Sequence, residues 1–168
     1  MTEIKRNYRQ SLPAMKLVGR CYGEKDRVNG TFSDKWGEWF ANRLFEPLKL
    51  NDGAAEPFED CDAYIGLCLC KEGEPFRYWI GVFMPPDAVV PEGYESLSFD
   101  AGDIAVFWIY GKEPEVYLAS CNGSLEAAGY EHRPVQGACM CFERYVCPRF
   151  TEPDENGNII LDICYFVK

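Results

Sequence analysis

One strand-like stretch, GACMCFERYVCP at residues 137–148, carries side chains from which chemistry could be built. Alternate side chains of a strand share a face, so Cys139, Cys141, Glu143 and Tyr145 point one way. Met140, Phe142 and Val146 point the other way, with Arg144 among them. Both faces are largely apolar, the pattern of a strand covered on both sides. An unpaired carboxylate is disfavoured there and its pKa rises. Glu143 therefore needs a buried arginine, solvent at a sheet edge, or a bound ligand, and the residues alone leave all three open.

Other chemistry is weaker. Two Cys-x-Cys pairs, Cys68/Cys70 and Cys139/Cys141, put thiols on common strand faces. Tetrahedral zinc usually takes Cys-x(2–4)-Cys turns with His or more Cys nearby, so these pairs read as small core residues and no metal is expected. His132 is the only histidine and sits in the polar loop GYEHRP, where a solvated side chain is expected. The segment GKEPEVY lacks the glycines and the Lys-Ser/Thr pair of a phosphate loop, and no cofactor is expected. Aromatic residues remain: Trp36, Trp39, Trp79, Trp108, Tyr110 and Tyr145. Singly each reads as core; as a set beside one carboxylate they make a lined pocket suited to organic cations.

These residues must be positioned by elements legible along the 168-residue chain. Extended runs lie at 3–10 and 15–22, at 63–70 and 76–84, at 103–110, and at 138–146 and 159–167. One helix is predicted over SDKWGEWFANRLFEP, capped by Ser33, with Trp36, Trp39, Phe40, Leu44 and Leu48 at helical spacing and Pro47 at its end. A second runs from Pro114 to a C-cap at Gly129, with a bend or break at Gly123. Residues 51–62 read as an acidic loop and 85–102 as a long connection. The order is β-α-β-β twice, pseudo-repeats of about 1–87 and 95–168 in a single unit spanning 1–168. GLCLCKE at 66–72 aligns with GACMCFE at 137–143, matching Gly66 to Gly137 and Glu72 to Glu143.

A net charge of −10 argues against binding a phosphate backbone, and the basic trio Lys5, Arg6 and Arg9 is small. No apolar run approaches a membrane span and no export signal opens the chain, so a soluble cytoplasmic protein is expected. Nine cysteines, an odd number, are then reduced thiols.

The sequence resembles the GyrI-like small-molecule-binding family, the effector-binding domain of AraC-type and multidrug-responsive transcription regulators. The resembling residues are LPAMKLVGRCYG near the start, YWIGVFM and PEGYESLSFDAGDIAVFWIYG in the middle, then AAGYE, FERY and the closing strand IILDICYFV. The resemblance implies an α+β fold: two β-α-β-β units in one curved, mostly antiparallel sheet, both helices on one face, and a hydrophobic cleft between them. It makes Glu143, in FERY, the pocket carboxylate facing lipophilic, often cationic and aromatic, compounds. Cys164 and Phe166 depart from the family's aromatic and proline in the closing strand, so that wall is expected to differ. No helix-turn-helix is read within the 168 residues, so direct nucleic-acid binding is not expected.

Three functions follow. The first is multidrug-type binding, for sensing or sequestration, with Glu143, Tyr145, Trp108, Tyr110, Trp79, Trp36 and Trp39 as ligand-binding residues. The second is a hydrolase of cyclopropane-bearing, DNA-alkylating natural products, with Glu143, Tyr110 and Tyr145 catalytic. The third is a protein partner, DNA gyrase, which family members inhibit. A haem role is disfavoured by the single loop histidine.

Overall fold

The computed structural model describes residues 1–49, 58–119 and 121–168. Eight strands form one antiparallel sheet: β1 (Glu3–Leu12), β2 (Met15–Gly23), β3 (Tyr64–Cys70), β4 (Arg77–Met84), β5 (Glu95–Phe99), β6 (Gly102–Gly111), β7 (Cys139–Tyr145) and β8 (Ile159–Val167). Their order is β1-β6-β8-β7-β3-β4-β2-β5. Three α-helices lie among the described residues: α1 (Ser33–Ala41), α2 (Glu46–Lys49) and α3 (Asn122–Ala127). The doubled order is therefore β2-α1-β3-β4 and β6-α3-β7-β8, joined at the β3–β7 pair.

The sheet curls into an open trough. Phe99 on β5 stacks on Phe166 of β8 at 5.4 Å, although four strands lie between theirs. On a flat sheet those strands would stand roughly 24 Å apart. The inner face holds one apolar core, including Leu17, Leu67, Ile104, Met140, Phe142 and Phe166. The outer face carries both helical segments. Trp39 of α1 and Leu48 of α2 pack with Tyr78 and Ile80, while Leu125 of α3 packs with Phe107, Leu161 and Ile163. Both helical segments thus cover the same face, as the doubled order predicts.

Boundaries differ from the sequence reading where the backbone turns. The first helix stops at Ala41, because Arg43 takes a left-handed φ of 55° and redirects the chain. Pro47 then sits in the first turn of α2, where its missing N–H costs nothing. The second helix divides into a 3-10 turn, Glu115–Leu118, and α3, so its break falls ahead of Gly123. Gly129, at φ 78°, follows the α3 C-cap as expected. The connection 85–102 contains the edge strand β5, which turns only Leu97 and Phe99 toward the core. Of the acidic loop, residues 51–57 lie outside the described residues, and 59–62 form turns.

The match of 66–72 to 137–143 is not a structural equivalence. Gly66 lies inside β3 whereas Gly137 precedes β7 in a turn at φ 75°, and Glu72 lies beyond β3 whereas Glu143 is within β7.

Candidate ligand-binding site

Glu143 projects from the outer face of β7, directly opposite Gly66 on β3 and Ile163 on β8. β7 is flanked on both sides, so the carboxylate does not reach solvent at an edge. It lies at the wall of a cleft of about 1730 Å³ on the helical side of the sheet, lined by Trp36, Phe40, Tyr64, Phe76, Tyr117 and Phe150 among others. Pockets for drug-sized molecules run to about 1,000 Å³, so the cleft can take a bulky ligand.

Two phenols hold one oxygen of this carboxylate. Tyr145, two residues on and on the same face, donates its O–H to Oε2. Tyr78 on β4 donates to the same Oε2 at 3.1 Å and accepts from Trp36 Nε1 of α1 at 2.9 Å. To reach Glu143, Tyr78 leans across β3, and Gly66 clears its path. A Cβ there would stand 2.2 Å from the Tyr78 hydroxyl and 2.9 Å from Glu143 Oε2. The ring of Tyr145 meets that of Trp36 edge-on at 4.8 Å, and Phe150 packs edge-on against Tyr145 at 4.7 Å.

Burial pushes the Glu143 carboxyl above its ordinary range, and the two phenol donors partly offset this by favouring its ionised form. Tyr78 and Tyr145 are held well above the usual phenol range, first by burial and next by the Glu143 charge. Among the described residues no lysine, arginine or histidine forms an ion pair with Glu143. Arg144, the adjacent candidate, points inward. Its Nε donates to Asp162 at 2.9 Å, its NH1 to Gln10 Oε1 at 2.8 Å and its NH2 to the Tyr8 hydroxyl at 3.1 Å. Around the cleft the described charged side chains are Asp62, Asp87, Glu113 and Glu143 against Arg27, whose guanidinium pairs with Glu24 and lies over Phe76. An anionic, aromatic recess of this kind favours a positively charged, apolar guest.

The seven residues singled out in the sequence divide. Glu143, Tyr145 and Trp36 come together in the cleft. Trp39 is fully buried beneath α1, its indole N–H donated to the Tyr22 hydroxyl. Trp79 belongs to the inner core. Trp108 faces inward from β6, with the Arg149 guanidinium 4.7 Å above its ring. Tyr110 shares that parity, and its hydroxyl donates to Asp154. It is therefore out of reach of Glu143, and the catalytic set with Tyr110 is not assembled. The departures at Cys164 and Phe166 also lie on the inner face and leave the cleft wall untouched. Tyr64, Tyr78 and Tyr117 are the cleft phenols that sequence reasoning missed. Tyr78 is adjacent to Trp79, and only the pairing of Tyr78 with Cys68 assigns it to the outer face beside Gly66.

Cys68 opposes Cys141 and Cys70 opposes Cys139 across the β3–β7 pair, all as free thiols. No cluster of three or more metal-ligating side chains occurs among the described residues. His132 is half-buried rather than solvated, its ring nitrogen 3.6 Å from Cys139 Sγ and 3.5 Å from the Met140 carbonyl. Among the described residues no helix is long and apolar enough to cross a membrane.

No protein-family model and no curated protein sequence matches the chain. Solved structures do. SAV2435 bound to tetraphenylphosphonium superposes with a TM-score of 0.67 at 18% identity, over 97% of this chain and 94% of that one. A bacterial protein from Staphylococcus aureus MU50 gives 0.63 at 18% identity, over 97% and 98%. EcmrR, in its DNA complex, gives 0.52 at 13% identity, over 97% of this chain and 57% of that one. At these identities the likeness is one of fold: the chain adopts the same curved α+β architecture as these proteins.

Proposed function

We propose that this chain is a GyrI-like ligand-binding unit that takes lipophilic organic cations into the cleft, with Glu143 as counter-charge and Trp36, Tyr145 and Phe150 as aromatic wall. One observation carries the reading: a half-buried carboxylate at the cleft wall, held by two phenols, has no cationic side chain as partner among the described residues. A buried charge kept without a protein partner is a liability unless a ligand supplies the opposite charge. The fold shared with SAV2435, whose structure holds tetraphenylphosphonium, supports the same class of guest. Sensing and sequestration both follow from such binding.

The test is titration of tetraphenylphosphonium and a neutral aromatic of similar size against wild type and Glu143→Gln, read by tryptophan quenching. Glu143→Gln keeps the shape and removes the charge, so cation affinity should fall by about 1–3 kcal/mol while neutral affinity changes less. Folding should survive or improve. Equal losses for both ligands, or a variant that fails to fold, would overturn the reading.

Hydrolysis of cyclopropane-bearing alkylating compounds is a second reading, favoured by the contact of two phenol O–H groups with one carboxylate. Such a cage can direct water and protonate a leaving group. Tyr145 and Tyr78 are then the phenols within reach. Product formation lost in Glu143→Gln, with substrate binding retained, would select it.

A further inference from the structure

Glu143 offers the cleft one oxygen rather than two. A carboxylate oxygen has two lone-pair sites, and both sites of Oε2 are filled, by Tyr145 and by Tyr78. Oε1 accepts no hydrogen bond from the described residues, and Glu143 lines the cleft. Amidinium and guanidinium groups pair best with carboxylates as a fork, two parallel N–H bonds to two oxygens. With Oε2 filled, one N–H of a fork entering this site is left buried and unpaired. An onium ion, whose charge is spread over carbon substituents without N–H donors, needs only the field of the carboxylate and aromatic faces.

We infer that Gly66 is a specificity-determining position: lacking a Cβ, it lets the Tyr78 hydroxyl cross β3 and cap Glu143 Oε2, so the cleft selects onium cations over amidinium and guanidinium cations. The geometry is close-fitting. The three nearest atoms that a Cβ at Gly66 would meet are the Tyr78 hydroxyl at 2.2 Å, Glu143 Oε2 at 2.9 Å and Trp36 Cζ2 at 3.1 Å. These are three members of one hydrogen-bonded chain, Trp36 to Tyr78 to Glu143. Gly66 acts through Tyr78 and is a positioning residue. No positive φ requires a glycine there, so the close approach of these three side chains, the Tyr78 hydroxyl nearest, is what a Cβ would disturb. This inference rests on the cation-binding reading above.

The experiment compares two monocations with the same biphenyl body, biphenyl-4-yl-trimethylammonium and biphenyl-4-carboxamidinium. Both are titrated against wild type, Tyr78→Phe, Gly66→Ala and the double variant. Wild type should favour the trimethylammonium ligand by about tenfold, the scale of one buried N–H left unpaired. Tyr78→Phe frees one site on Oε2, so the preference should shrink to about twofold or reverse. Gly66→Ala should shift the ratio the same way, because its methyl displaces the same hydroxyl, and the double variant should add nothing further. Melting temperatures give a second readout: Gly66→Ala should cost less in the Tyr78→Phe background, where the hydroxyl it strikes is gone. A ratio unchanged by both variants while both cations still bind would overturn this inference alone. Failure of wild type to bind either cation would overturn the binding reading together with it, and additive melting losses would remove Gly66 as the determinant.

Discussion

Glu143 and Arg144 are neighbours in the chain and face opposite sides of the sheet, each in a different electrostatic setting. Arg144, 1% exposed, is fixed by Asp162, Gln10 and Tyr8 within the inner core. Glu143 faces outward into the cleft with phenols for company. The one-residue alternation of a strand keeps these opposite charges from neutralising each other. The arginine is spent on stability, and the carboxylate keeps no cationic side chain as partner among the described residues.

The first prediction concerns pH. Burial raises the folded-state pKa of Glu143 above its ordinary 4.5, so between the two values the folded chain holds a proton that the unfolded chain has lost. Unfolding free energy should therefore fall as pH rises from about 4.5 through the raised value and level off above it. Cation affinity should rise over the same window as the carboxylate ionises. Melting curves and tetraphenylphosphonium titrations from pH 4 to 8 check both trends, and Glu143→Gln should lack both.

The inner ion cluster should behave differently. Asp162, fully buried, accepts from Arg144 and Arg149, and Arg149 also bonds Asp60 at 2.7 Å. Asp162→Ala removes the buried carboxylate that both guanidinium groups share, leaving them Asp60, Gln10 and Tyr8, and should cost about 3–5 kcal/mol in urea unfolding. Loss below about 1 kcal/mol would mean that the arginines find new partners or water.

Placement of the tryptophans supplies a third test. Trp36→Leu removes a cleft wall and the donor to Tyr78. Its tetraphenylphosphonium affinity should drop by about 1–2 kcal/mol, the scale of a lost cation–π face. Trp108→Leu, on the far side of the sheet, should leave affinity within about 0.5 kcal/mol of wild type. The reverse ranking would put the ligand on the inner face.

Strand existence was legible from alternation and β-branched runs where a strand is largely buried, as β4 and β8 are. The edge strand β5 was not, since it contributes little to the core. Helix breaks at Asn42–Phe45 and before α3 depend on local turns that apolar spacing does not report. In the site, Glu143 was identifiable because a carboxylate contradicts its strand. The aromatic wall was not, because face assignment depends on register between strands far apart in the chain. Trp108 and Tyr110 carry the right ring chemistry on the wrong parity of β6, while Tyr78 carries it on the right parity of β4.

The outer strands are exchanged between the two halves of the chain. β1 departs from the first half to pair with β6, and β5 departs from the second to pair with β2. Tyr8 thus pairs with Val106, nearly a hundred residues away. Neither half can complete its sheet in isolation, and separately expressed halves should each present an open, aggregation-prone edge that the other is shaped to cover. Both halves contribute to the cleft, Tyr78 from the first and Glu143 from the second, and folding should be slow for the chain's length.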